Sequence, residues 1–124
     1  MVFQGWLHKD IYENEFKQAL LKILNNSIEL LYQRKEKDER VVIIKLSNNI
    51  LSIKDSANGV DENSLDKLFE PYYTTKHESQ GVGLSLYSVQ QILTEQMNFE
   101  ISARNSTFEY NNKKQKGLEV IVEF

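Results

Sequence analysis

Hydrophobic and polar positions change period several times along this chain, and each change marks an element. From Asn14 to about Gln33, the residues Phe16, Leu20, Ile23, Leu24, Ile28 and Leu31 recur at three- and four-residue spacing, the apolar stripe of an amphipathic helix. Val41 to Leu46 and Ile50 to Asp55 are β-branched runs joined around Asn48 and Asn49. Asparagine tolerates the positive φ of a tight turn, so these runs predict a β-hairpin. Glu62 to Phe69 reads as a short helix closed before Pro71, the only proline, because the residue before a proline disfavours helical geometry. A Tyr-, Thr- and Ser-rich loop follows to Gln80, and Leu84 to about Met97 is predicted helical. Phe99 to Arg104 and Leu118 to Phe124 alternate as strands, the second placing Leu118, Val120, Val122 and Phe124 on one face. Helices with mostly antiparallel strands predict an α+β fold, a two-layer sandwich.

The remaining stretches have no clear period. Arg34 to Arg40 and Asn111 to Lys116 carry mixed charge and read as solvated loops. Residues 1–12, with Phe3, Trp6 and Leu7, stand apart from the domain predicted over residues 13–124. A packed first strand, a remnant of a neighbouring domain and a segment foreign to the natural chain all fit them.

Composition narrows the function classes. The chain has 124 residues, enough for one core. With no cysteine it has neither disulfides nor thiolate-held metals, and two histidines, His8 and His77, are too few for a histidine cage. No apolar run is long enough to span a bilayer, and Met1 to Asp10 lacks the apolar block of a signal peptide. A soluble domain is therefore expected; its expected location is cytoplasmic, with no direct membrane contact of its own, either alone or as part of a membrane-anchored parent protein. The net charge of −3 and a pI near 5.4 give no general attraction to nucleic acid or an anionic membrane, so any polyanion must be held locally.

Four places could hold one. On the first helix, Lys22, Asn26, Glu29 and Gln33 fall within roughly 60° of one another at 100° per residue, which puts Asn26 at the border of the apolar face. It is either a solvent-facing asparagine or a neutral oxygen ligand of the kind Mg²⁺ accepts alongside phosphates. Asp55 ends a strand and precedes Ser-Ala-Asn-Gly-Val. It is either a turn aspartate or an acceptor that suits the exocyclic amine of adenine and repels the carbonyl of guanine. Gly81 and Gly83 sit at the mouth of a helix, as a simple turn or as a place where backbone N–H groups approach phosphate. Lys76, five residues earlier, is either a solvated lysine or a cation reaching the same phosphates.

Taken in chain order, these pieces are more specific than any one of them. Asn26 in an amphipathic helix, Asp55-x-Ala57-x-Gly59 after a strand, Leu68-Phe-Glu-Pro-Tyr-Tyr-Thr-Thr-Lys76, and Gly81-Val-Gly-Leu84 resemble the N, G1, F and G2 boxes of the ATP-binding domain of bacterial sensor histidine kinases, of the GHKL superfamily. The resemblance covers about residues 14–124, and the Phe-Glu-Pro segment is its most distinctive part. It implies the Bergerat fold, a mixed, mostly antiparallel sheet of about five strands covered on one face by about three helices. It implies ATP and Mg²⁺ as cofactors. Asn26 would contact the metal and act with Lys76 in catalysis, and Asp55 would read the adenine amine. Ala57, Gly59 and Val60 would shape the adenine pocket. Tyr72 to Gln80 would form a lid bearing Tyr73 and Lys76, and Gly81, Val82, Gly83 and Leu84 would give backbone donors to the phosphates.

The implied reaction is transfer of the γ-phosphoryl group to a histidine on a separate dimerisation domain, which passes it on to a response regulator. Neither His8 nor His77 suits the acceptor role. Departures from the family pattern are Lys22 for asparagine or histidine, Ser27 for alanine, Ser56 for asparagine, Ala57 for the first glycine, Asn58 where another glycine is common, and Ser85 for the third glycine of the last box. They leave a second expectation open, a degenerate module that senses nucleotide or docks a partner. Lys22 stands where related ATP-hydrolysing enzymes carry a glutamate, so no hydrolytic base is expected there.

Overall fold

The computed structural model describes residues 13–35, 39–70 and 85–124. Helix α1 spans Glu13–Tyr32 and buries Phe16, Ala19, Leu20, Ile23, Ser27 and Leu31, nearly the predicted stripe. Ile28 is the exception at 41% exposed; Ala19 and Ser27 take the inward positions. Glu13 and Glu15 in the first turn suit the positive end of the helix dipole.

Strands β1 (Val42–Ser47) and β2 (Ile50–Asp55) form the predicted hairpin, with Asn48 and Asn49 at φ of 52° and 63°. Helix α2 is only Glu62–Leu65, shorter than the expected Glu62 to Phe69. Beyond it the chain tightens into three-residue turns, Lys67 N to Ser64 O at 3.0 Å and Glu70 N to Lys67 O at 3.0 Å. Helix α3 (Ser85–Gln90) runs on as a π-helical stretch, Gln91–Gln96, in which the Thr94 hydroxyl donates to the Gln90 carbonyl at 2.6 Å.

Strands β3 (Glu100–Tyr110) and β4 (Lys113–Glu123) build a long hairpin. This corrects the reading of Asn111 to Lys116 as a solvated loop. Asn111 and Asn112, at φ of 51° and 62°, are the turn, and Lys113 to Lys116 pair with Thr107 to Tyr110. The distal half of the hairpin is largely polar and exposed, so it lacks the alternation that marks a half-buried strand.

The sheet order is β1-β2-β4-β3, every pairing antiparallel. Four strands are present among the described residues against the expected five, and no parallel pair gives the sheet the mixed character expected. The fold is otherwise the α+β sandwich predicted. Leu51 and Ile53 of β2 and Leu118, Val120 and Val122 of β4 pack with Phe16, Leu20, Ile23, Leu86, Val89 and Leu93 from the helices. Phe99 meets Phe16 edge-on at 5.9 Å. Lys22 of α1 donates to the Ser88 hydroxyl of α3 at 3.1 Å, tying the two helices together beside this core. On the alternate positions of the sheet, Glu119 accepts from Ser52 at 2.5 Å and from Arg104 at 2.7 Å. Burial opposes its charge, but these bonds and the Arg104 and Lys54 cations hold its carboxyl below the usual glutamate range.

Candidate functional site

The site grows from the point where β2 ends. Asp55 is wholly buried, and its Oδ1 accepts from the backbone N–H of Ala57 at 3.0 Å and of Leu118 at 3.1 Å. Its Oδ2 is buried with no hydrogen-bond partner among the described residues. Burial raises the Asp55 carboxyl above its ordinary value, against the lowering effect of the Ala57 and Leu118 N–H groups and the nearby Ser27 hydroxyl. An unsatisfied buried acceptor costs about 1–3 kcal/mol, more when charged, and native structures keep few of them. Gly117 makes the arrangement possible, since a Cβ there would lie 1.4 Å from the Asp55 carbonyl oxygen. β2 and β4 thus approach more closely than any side chain at residue 117 would allow.

After Asp55 the chain turns through residues 56–61. Asn58 and Gly59 take the left-handed conformation, at φ of 70° and 71°, and Ala57 is not among the positive-φ residues. The missing first glycine is therefore no obstacle here, because the strained conformations fall on residues that tolerate them. The Ser56 hydroxyl, in place of the family's asparagine, donates to the Glu39 carbonyl at 2.6 Å and accepts from Val41 N–H at 2.9 Å.

Beside this loop lies a cavity of about 400 Å³, bounded by Leu30, Gln33 and Arg34 at the end of α1, by residues 57–61, and by Ser64 of α2. That size suits a small-molecule ligand. The Arg34 guanidinium donates to the Ser56 carbonyl, to Gln115 Oε1 at 2.8 Å and to Glu39 Oε2 at 3.1 Å. Far from a solvated loop residue, Arg34 is the hub of a part-buried network, which corrects that half of the expectation for residues 34–40.

Of the residues singled out from sequence, Ala57, Gly59 and Val60 line the cavity; Asp55, at the loop's root, is fully buried and is not one of its lining residues. Asn26 is half-buried on α1, beside Ser27 and one turn before Leu30, and does not line it. Tyr73, Lys76, Gly81, Val82, Gly83 and Leu84 lie outside the described residues. Sequence reasoning missed Leu30, Arg34, Asn105 and Gly117, and named Gln33 only as a member of the polar stripe of α1. Only Gly117 carried a local signal, as an isolated glycine next to a strand pattern. Among the described residues no group of three or more acidic or histidine side chains is placed to hold a metal.

Fold and site together define a class: an α+β domain whose sheet ends in a buried, half-satisfied carboxylate at the root of a loop that lines a cavity of small-molecule size. Similarity to known proteins agrees. Residues 11–124 match the family described as histidine kinase-, DNA gyrase B- and HSP90-like ATPases, and the chain belongs to that family. It is 34% identical over 71 residues to sporulation kinase E of Bacillus subtilis strain 168, covering 57% of this chain and 10% of that protein. It is 27% identical over 113 residues to sporulation kinase B of the same organism, covering 87% and 23%. The match to the signal transduction histidine-protein kinase AtoS of Escherichia coli K12 is 34% over 70 residues, covering 56% and 12%. The chain therefore spans between a tenth and a quarter of the length of these relatives. The catalytic domain of the histidine kinase ThkA superposes with a TM-score of 0.64 at 22% identity, over 92% of this chain and 68% of that one, so the fold is shared. No helix among the described residues is long and apolar enough to cross a membrane.

Proposed function

We propose that the chain is the ATP-binding catalytic domain of a bacterial sensor histidine kinase, which holds Mg²⁺-ATP and delivers its γ-phosphoryl group to a histidine on a dimerisation domain, from which a response regulator receives it. The observation that carries this reading is Asp55 Oδ2, a buried acceptor with no partner among the described residues, at the root of the loop whose residues 57–61 line a cavity of small-molecule size. The exocyclic amine of adenine supplies the donor it lacks. Leu30 and Val60 give the base apolar walls. Asn26, between the Lys22–Ser88 contact and Leu30, lies along α1 on the way from the base cavity toward the start of α3; the roles of Lys76 and of Gly81 to Leu84 at the phosphates are those the family resemblance implies. Bound Mg²⁺ would neutralise phosphate charge with Asn26 as its protein ligand.

In the transfer, the acceptor imidazole nitrogen uses its lone pair to form a P–N bond as the bond between the γ-phosphorus and the bridging oxygen breaks, and ADP departs with that electron pair. The domain contributes position and electrostatics, with no covalent intermediate of its own. Lys22, held by Ser88, supplies no base for water, so little ATP hydrolysis is expected from the domain alone. A cytoplasmic reaction, with neither nucleic acid nor a lipid surface as partner, belongs to the same reading. The test is to titrate Mg²⁺-ATP into the chain and then add a histidine-bearing dimerisation domain with γ-labelled ATP. ATP binding with label transferred to histidine supports the reading. Binding without transfer to any supplied acceptor would favour a nucleotide-sensing module instead.

A further inference from the structure

We propose that Arg34 and Asn105 are positioning residues for the purine site, two side chains from outside the Ser56–Val60 loop that hold it in the shape by which Asp55 meets a base. The proposal rests on the nucleotide-binding reading above and adds to it what gives the loop its shape. Ordering an irregular residue costs about 1–2 kcal/mol in backbone entropy, and this loop makes few backbone bonds of its own. Ser56 N–H donates to Val41 O at 3.1 Å and Asn58 N–H to Lys116 O at 2.9 Å. The other anchors are side chains. Arg34 donates to the Ser56 carbonyl, one residue past Asp55. Asn105 bonds both backbone groups of Val60, accepting from its N–H at 2.9 Å and donating to its carbonyl at 2.7 Å.

Both anchors are themselves fixed. Arg34 is shared between Glu39 and Gln115, the latter 3% exposed, and Glu39 also pairs with Lys113 at 3.4 Å. Asn105 lies in β3 directly opposite Leu118, whose N–H holds Asp55 Oδ1. The aim of the carboxylate and the position of Val60 are thus set by neighbouring residues of one hairpin. The fit at Asn105 is close enough to dictate its neighbour: a Cβ on Gly59 would stand 2.5 Å from Asn105 Oδ1. Both ends of the loop are therefore gripped from outside, by an arginine at the end of α1 and an asparagine in β3.

The experiment measures Mg²⁺-ATP and Mg²⁺-GTP binding by calorimetry for the parent chain, Arg34→Ala, Arg34→Lys, Asn105→Ala, Asn105→Asp and Asp55→Asn, at a temperature where circular dichroism shows each variant folded. Arg34→Ala and Asn105→Ala are expected to weaken ATP at least about tenfold, 1.4 kcal/mol, and to narrow the preference for ATP over GTP. Arg34→Lys, which keeps the charge but not the fork, and Asn105→Asp, which keeps only the acceptor, should fall between parent and alanine, and they carry the test where an alanine variant does not fold. A side chain that serves stability alone would lower the melting temperature and leave the ATP-to-GTP ratio unchanged. That result, with Asp55→Asn still losing ATP, overturns the proposal and leaves the purine site standing. Unchanged ATP affinity in Asp55→Asn overturns the purine site itself.

Discussion

Asp55→Asn separates stability from binding, because the two are expected to move in opposite directions. In the free domain the carboxylate has Oδ1 satisfied by two backbone N–H groups and Oδ2 by no group among the described residues. The carboxamide keeps an oxygen in the Oδ1 position and puts an NH₂ where Oδ2 was. Against an adenine amine this replaces a charge-assisted hydrogen bond, worth about 1.5–3 kcal/mol, with two facing donors, so ATP affinity should fall about ten- to hundred-fold. Guanine presents a carbonyl at the same place, so the ratio of ATP to GTP affinity should fall further than ATP affinity alone. Stability should rise. Burial raises the folded-state pKa of Asp55 above the ordinary value of 3.8, so the folded state binds the proton more tightly than the unfolded one. The ionised carboxylate therefore opposes folding fully above the raised pKa, and the opposition fades as pH falls through that pKa toward 3.8. Asparagine removes it, so the variant should melt higher than the parent at pH 7, with a gap that closes on acidification. An amine donor would favour the ionised form, so parent ATP affinity should climb with pH through the Asp55 titration while the variant's stays flat. Calorimetric titration and thermal melts across pH measure all of this. A variant that binds ATP as the parent does, or whose melting advantage ignores pH, would refute the assignment of Oδ2 as an open acceptor.

Three further outcomes follow from the same geometry. Gly117→Ala places a Cβ 1.4 Å from the Asp55 carbonyl, so β2 and β4 must separate; overpacking costs about 1–3 kcal/mol or more, and a melting temperature within a degree of the parent would contradict the close approach. For Glu119 the folded pKa lies below its ordinary value of 4.5, so its contribution is complete above 4.5 and lost as pH falls through the depressed folded value; the stability gap between parent and Glu119→Gln should shrink over that window, and a gap that widens there would count against the Ser52–Arg104 bonds. Lys22→Met removes the bond to Ser88 that ties α1 to α3, with an expected loss of about 0.5–1.5 kcal/mol in chemical denaturation and no gain in ATP hydrolysis; a rise in hydrolysis would show that the lysine suppresses a water-activating geometry.

How much of this was legible in the sequence depends on how far each residue's partners lie along the chain. The stripe of α1 and the Asn48-Asn49 turn are local patterns, and the structure bears them out. Asp55 stood out because it closes an alternating strand ahead of a turn. Arg34 and Asn105 gave no such signal. Their partners are 22 and 45 residues away, at Ser56 and Val60, and in sequence Arg34 is one charge in a mixed run while Asn105 is one polar residue in a polar strand. The hairpin hid them. Its distal strands are too polar to alternate, and register there comes from backbone pairing through the Asn111-Asn112 turn, so a loop was the natural reading of residues 111–116. Ala57 shows the converse. A motif position without its usual glycine looked like a defect, yet the positive φ falls on Asn58 and Gly59, and the positions that require glycine are Gly59, against Asn105, and Gly117, against the backbone of Asp55. A departure from a motif therefore predicts lost function only where the substituted side chain itself carries the strain or the contact, and at residue 57 there is no positive φ and the bond to Asp55 comes from a backbone N–H that alanine keeps.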